Sequence, residues 1–350
     1  MRLQAGCEIV VEAEDDCAVV AMLRPRSNAL QWLVSESWRF TPQVRPDEYI
    51  DTFGNVCQRF VVPRGRMTLR AEIQVETDAD VLLAGTAPAT PPALLPHDTV
   101  QFLLPSRYCP SDRLFDDVPG IVGDAAPGAA QVDAICDWIR SHITYRYGES
   151  NASTDALETM RHGAGVCRDY AHVGIALCRA LRLPARMVVG YLYQLEPMDL
   201  HAWFEVWLDG RWYPFDPTQD RPRGGRIVVA TGRDAADVAF LTNHGGLTTV
   251  GMQVWVGLAS SALAARRAGW RDAGHGWPLG QSHDARAAVA MSPPAAVPHH
   301  VPVTGPSGRA ITCGPDRGRG GHHGSVPLRH ACRACIRSGR GGHRRPRRLP

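Results

Sequence analysis

The chain has 350 residues, 44% of them hydrophobic, and all 38 basic residues are arginine, with no lysine. That is long enough for two domains and apolar enough for a packed core. No apolar run approaches the roughly 18 residues a membrane-crossing helix needs. The start, "MRLQAGCEIVVEAEDD", lacks a basic stretch followed by an apolar one, so no signal peptide is expected. The expectation is a soluble, cytoplasmic protein with free thiols: the seven cysteines before residue 257 are scattered and unpaired in spacing.

Charge divides the chain. Residues 257–350 hold 15 Arg against 3 Asp and no Glu, a net of +12, which leaves −9 for residues 1–256 out of the chain's +3.

Residues 1–105 look all-β. "GCEIVVEAE", "CAVVAMLRP", "QWLVSESWRF" and "GRMTLRAEIQVET" are short β-rich runs broken by Pro, Gly, Asn and Asp, as in a small sandwich. Gly54-Asn55 marks a tight turn. Residues 106–130, rich in Pro, Gly and Asp, read as a linker. From 131 the period becomes helical: "AAQVDAICDWIRSHI" carries apolar residues at 132, 135, 138, 139 and 143. "CRDYAHVGIALCRALRL" is a second helix, stopped by Pro184. Strand-like runs follow, "ARMVVGYLYQL", "HAWFEVWLDGRWYPFDPT" and "GRIVVATGRD", so residues 131–256 form an α+β unit. Residues 257–350, made of Ala, Pro, Gly, Arg and His without a sustained period, are expected to be a disordered basic tail.

The run from His201 to Thr218 is a hairpin. With Asp209-Gly210 as a two-residue turn, Leu208 pairs with Arg211 and Trp203 with Asp216. His201 and Asp216 then lie on one face as diagonal neighbours, roughly 7 Å apart at the backbone. A carboxylate orienting an imidazole and a structural His–Asp hydrogen bond both fit this placement. "GAGVCRDYAH" offers a third group. Cys167 follows a glycine-rich turn and opens a helix, whose positive end favours thiolate. Gly163 and Gly165 allow close backbone approach and leave N–H groups for an oxyanion. Cys167, His201 and Asp216 thus form a set suited to nucleophilic acyl transfer. Cys136 and Cys178 sit in apolar helical runs and read as core thiols, and His172 as a helix-packing residue. Tyr145 and Tyr147 precede the site and are candidates for its walls.

"GVCRDYAHVGIALCRALRLPARMVVGYL" followed by "HAWFEVWLDGRWYPFDPT" resembles the transglutaminase-like superfamily, in its bacterial branch. "YIDTFGN" at 49–55 and "FLLPSRYCPSD" at 102–112 are similar to the β-rich region preceding that core. The resemblance implies a papain-like core, with Cys167 as nucleophile, His201 as base and Asp216 as orienting carboxylate. It implies a peptide or other amide substrate and no metal or organic cofactor. Residues 257–350 match nothing in the family pattern.

Arylamine acetyltransferases share the Cys, His and Asp chemistry, but their cysteine has a different flank. A non-catalytic peptide binder would be expected to lack one of the three. His330, Cys332 and Cys335 in "HACRAC" lack the second C-x-x-C of a zinc site, and nucleic acid is expected to meet the basic tail only nonspecifically. Asn151-Ala152-Ser153 is a glycosylation sequon by pattern alone. Calcium-loop patterns are missing, and no acidic, apolar-walled pocket for an amine is visible: Glu205 and Asp209 fit a strand face and a turn. Water is therefore the expected acceptor rather than a protein amine, the alternative being a true transglutaminase.

Overall fold

Twelve residues that alternate, except at buried Gly6, begin the fold. In β1 (Arg2–Ala13), Leu3, Ala5, Cys7, Ile9, Val11 and Ala13 are buried. A period of two fits only a strand with one covered face. A computed structural model of the protein describes residues 1–259; the tail, including His330, Cys332 and Cys335, lies outside them. β2 (Cys17–Arg24), β3 (Gln31–Thr41), β4 (Asp47–Ile50), β5 (Val56–Val62) and β6 (Gly65–Thr77) follow. They form two antiparallel sheets whose side chains meet, Phe40 of β3 lying edge-to-face on Phe60 of β5 at 5.2 Å.

Each sheet gains its fourth strand from the other end of the described chain. β13 (Leu241–His244) pairs with β2, and β14 (Leu247–Leu258) with β1 along most of its length. A Cβ at Gly6 would meet the Trp255 ring, which crosses it from β14. The β-rich unit is thus not confined to residues 1–105, and residues 131–256 are not one unit in space. Alternation reveals a strand but not its partner, so the return is invisible in sequence.

The stretch read as a linker is also built into the core. It contains α1 (Val118–Val122); Cys109 and Leu114 are buried, and the Tyr108 amide donates to Asp234 at 2.8 Å. Its Pro and Gly content marks irregular backbone, not exposure. Upstream, Phe102 packs edge-to-face on Trp212 at 5.3 Å, so residues 78–105 carry no long strand and run along the second unit.

That second unit contains α2 (Ala129–His142), α3 (Ala156–His162) and α4 (Cys167–Ala180). Its antiparallel sheet has the order β11-β10-β9-β12, from β9 (Ala185–Leu192), β10 (His201–Leu208), β11 (Arg211–Phe215) and β12 (Arg226–Gly232). Two-residue strands β7 (Thr144–Tyr145) and β8 (Ala164–Gly165) pair in parallel just before α4. α4 is buried from Asp169 to Ala180 and packs on β10, where a Cβ at Gly174 would run into the Phe204 ring. Arg179 is 2% exposed, yet its guanidinium donates to the carbonyls of Leu104, Ala185 and Arg233. His172 packs as the sequence implies, stacked on Tyr108 at 5.0 Å; burial, with Arg168 adding, lowers its pKa to about 3. Cys136 and Cys178 are buried core thiols.

Two buried amides join the units. Gln31 exchanges hydrogen bonds with both the N–H and the C=O of Val228 at 2.8 Å. Asn55 does the same at Thr231, at 2.8 and 2.9 Å. Between them β12 has its register shift, so the two side chains supply ladder bonds where the strand bulges. Among the described residues no helix is long and apolar enough to cross a membrane.

Candidate active site

α4 starts where its own side chains allow it to start. Val166 is extended and has no capping group, so the cap comes from inside the helix. The Val166 amide donates to Oδ2 of buried Asp169 at 2.9 Å, and Arg168 closes on Oδ1 at 2.9 Å. A Cβ at Gly165 would lie 2.7 Å from that of Asp169, which explains the glycine. Gly163 is left-handed, φ 63°, and caps α3 by donating to Thr159. The two glycines therefore shape the turn, and the amides of Gly163 and Val166 are already spent. Among the described residues the first amides of α4, those of Cys167 and Arg168, donate to no backbone carbonyl, and the Cys167 amide faces the Tyr145 hydroxyl. The donors available to an oxyanion belong to the helix itself.

Cys167 is the first residue of α4 and the one cysteine among the described residues that is not buried. β7 brings Tyr145 beside it. Burial and then the Cys167 sulfur push the Tyr145 hydroxyl up, while the Cys167 amide acts on it oppositely through hydrogen bonding. Tyr147 stands edge-on to Tyr145 at 5.6 Å.

His201 opens β10, and its ring Nε2 lies 2.8 Å from Oδ2 of Asp216. The hairpin has the expected register, Leu208 opposite Arg211 through Phe204 opposite Phe215. Asp209 and Gly210 both have positive φ, 44° and 81°, as a two-residue primed turn requires. The ladder ends one residue before Asp216, which bends in to meet His201. Both side chains are nearly sealed, 2% and 3% exposed. Oδ1 of Asp216 accepts from the Thr218 hydroxyl at 2.6 Å and from its amide at 3.2 Å. Oδ2 also accepts from Nη2 of Arg226 at 3.2 Å, and that guanidinium lies over the Trp203 ring at 4.8 Å.

Burial disfavours the charged His201 ring, but Asp216 and the nearby Cys167 sulfur outweigh it and raise the pKa to about 9. Burial also opposes the Asp216 anion; His201 and Arg226, with the Thr218 hydroxyl, hold it well below the usual carboxylate range. At neutral pH the pair is imidazolium and carboxylate. With Nε2 engaged by Asp216, Nδ1 is the nitrogen left for Cys167.

A cavity of about 250 Å³ opens beside His201, walled by Tyr145, Tyr147, residues 195–197 and 199–200, and Thr218-Gln219. A larger open groove between α1, α2 and α3, about 590 Å³, contains none of the three residues. The sequence showed no acidic, apolar-walled pocket, and here the structure corrects it, although Glu205 and Asp209 lie on the strand face and in the turn as expected. Glu205 is paired with Arg186 at 2.6 Å and Asp209 sits in the turn. Glu196 and Asp199, from the loop before the hairpin, line the cavity instead. Arg226, ten residues beyond Asp216 at the start of β12, has no local sequence signal. Thr218 was legible in "DPT", since a hydroxyl two residues after an aspartate readily closes back on it.

Residues 118–217 match the model of the transglutaminase-like superfamily, and residues 13–78 match the bacterial transglutaminase-like N-terminal region. The chain belongs to the transglutaminase-like superfamily. It is 33% identical to a Cytophaga hutchinsonii protein of known structure described as a candidate cysteine protease, with a TM-score of 0.70 over 73% of this chain and 90% of that one. An uncharacterized Mycobacterium leprae protein is 28% identical over 236 residues, 63% of this chain and 84% of the relative. An uncharacterized Mycobacterium tuberculosis protein is 40% identical over 115 residues, but only 37% of its length is spanned.

Proposed function

We propose that the protein is a cysteine-dependent amide hydrolase that forms a thioester on Cys167. The observation that carries this reading is the sealed His201–Asp216 bond facing a partly exposed cysteine at a helix start. Likeness to a candidate cysteine protease supports it.

The thiolate of Cys167 attacks the carbonyl carbon of an amide, and the C–O π pair moves onto oxygen. The amides at the start of α4 receive that oxyanion. As the C–N bond breaks, His201 delivers its Nδ1 proton to the departing nitrogen. The neutral imidazole then takes a proton from water, whose oxygen attacks the thioester. C–S cleavage releases the acid and restores thiolate and imidazolium. Asp216 keeps the ring oriented and its cation stabilised throughout. An amine in place of water at the second step would give transfer instead.

The test is a glutamine- and amide-bearing peptide mixture offered with excess labelled primary amine. Release of free acid that disappears in Cys167→Ala supports the proposal. Predominant amine incorporation makes the protein a transglutaminase, and turnover surviving in Cys167→Ala refutes a cysteine mechanism. This chain has no lysine, so it offers no ε-amine of its own to confuse the result.

A further inference from the structure

The cavity beside His201 is not symmetric about the reacting groups. His201, Thr218 and Gln219 border it, whereas Cys167 does not. In the proposed reaction the acyl carbon sits on Cys167 and the departing nitrogen faces His201. The cavity is therefore on the leaving-group side.

Its chemistry is acidic on apolar walls. Glu196 and Asp199 border it, with Leu195, Pro197, Leu200 and the rings of Tyr145 and Tyr147 around them. Other carboxylates near the site have arginine partners: Asp169 with Arg168, Glu205 with Arg186, Asp216 with Arg226. Among the described residues Glu196 and Asp199 have none. Asp199 accepts from the Leu200 amide at 2.8 Å, and the Tyr147 hydroxyl is close enough to support its anion. Burial raises its pKa, with His201 opposing. A half-buried carboxylate with no arginine partner, its neighbouring imidazolium already bound to Asp216, gains from an arriving cation. The tyrosine faces add cation–π attraction, and the apolar walls suit an aliphatic stem.

We propose that this cavity binds a cationic side chain, lysine or arginine, on the residue that follows the scissile amide, with Asp199 setting the preference. The proposal rests on the hydrolase reading for its direction along the substrate.

Three peptide sets identical except at that residue, bearing arginine, citrulline or glutamate, test it in two ways. Wild-type protein is assayed for cleavage, and the Cys167→Ala protein for binding without turnover. Arginine is expected to exceed citrulline roughly tenfold in both, since hydrogen bonds to charged groups are worth about that much. Glutamate is expected to be weakest. Asp199→Asn should reduce the arginine-to-citrulline ratio to about twofold, and Asp199→Glu should restore part of it. Equal binding of arginine and citrulline peptides, or a ratio unchanged by Asp199→Asn, overturns the proposal. Charge-selective binding that depends on Asp199, with no cleavage of any peptide, upholds cation recognition and refutes the hydrolase instead.

Discussion

Oδ2 of Asp216 accepts from two cations, Nε2 of His201 at 2.8 Å and Nη2 of Arg226 at 3.2 Å. Arg226 does not border the cavity beside His201; it holds the carboxylate that holds the imidazole. With a side chain 10% exposed and stacked on Trp203, it is a fixed charge and not a mobile one.

Arg226→Gln should therefore lower kcat/KM by roughly tenfold to a hundredfold, the scale at which second-sphere partners act. The distinguishing readout is the acid limb of the pH profile. Loss of the guanidinium lets the Asp216 pKa rise, so the limb moves to higher pH; Arg226→Lys moves it part of the way back. A lower rate with an unmoved limb would mark Arg226 as packing alone.

Within the three-residue set the expected hierarchy is steep. Cys167→Ala abolishes turnover while leaving thermal unfolding near that of the wild type. Asp216→Ala costs on the order of 10³–10⁴ in kcat, because the ring loses both orientation and charge support. Steady-state rates beside melting curves separate this from misfolding.

The raised His201 pKa makes an alkaline prediction. The folded value, about 9, lies above the unfolded value near 6.5. The stability it contributes, on the order of 3 kcal/mol, is complete below pH ~6.5 and is lost as pH rises through about 9. Activity should fall over that upper limit as the imidazolium disappears. Denaturant titrations at pH 6.5 and 10 should show the loss in wild type and its near absence in His201→Ala.

The join between the two units can be weighed at Gln31 and Asn55. Removing either side chain strands a buried amide and carbonyl of β12, so Gln31→Ala or Asn55→Ala should cost about 1–3 kcal/mol each. β12 begins at Arg226, so Gln31→Ala should also depress activity modestly. Urea midpoints and kcat/KM on the same preparations would show both.

β14 runs two residues past the break in composition after residue 256. Gly257 and Leu258 pair with Gln4 and Leu3, so a chain ending at Ala259 keeps every strand among the described residues, whereas one ending at residue 240 strips β13 and β14 and bares the edges of β1 and β2. The first should unfold cooperatively near the full-length midpoint; the second should aggregate or melt well below it. Equal midpoints would deny β14 a structural role.

Local chemistry explains what could be read in advance. The hairpin register followed from Asp209-Gly210, because a two-residue turn leaves one pairing possible, and with it came the approach of His201 to Asp216. Cys167 was visible because a cysteine at a helix start has few other uses. Arg226, Asp199 and the partners of β14 depend on chain folded back across many residues, for which no period or short spacing exists. The glycines before Cys167 misled: their place in the turn was legible, but not that Asp169 and Thr159 already occupy the neighbouring hydrogen bonds.

The central claim is that His201, held charged by Asp216, activates Cys167. Alkylation by iodoacetamide of the full chain, followed by peptide mapping of the Cys167 segment, tests it most directly. At pH 7 the account predicts that Cys167 reacts at least tenfold faster in wild type than in His201→Ala, with the gap closing above pH ~9 as an unassisted thiol ionises. Equal rates in the two proteins at pH 7 would contradict it.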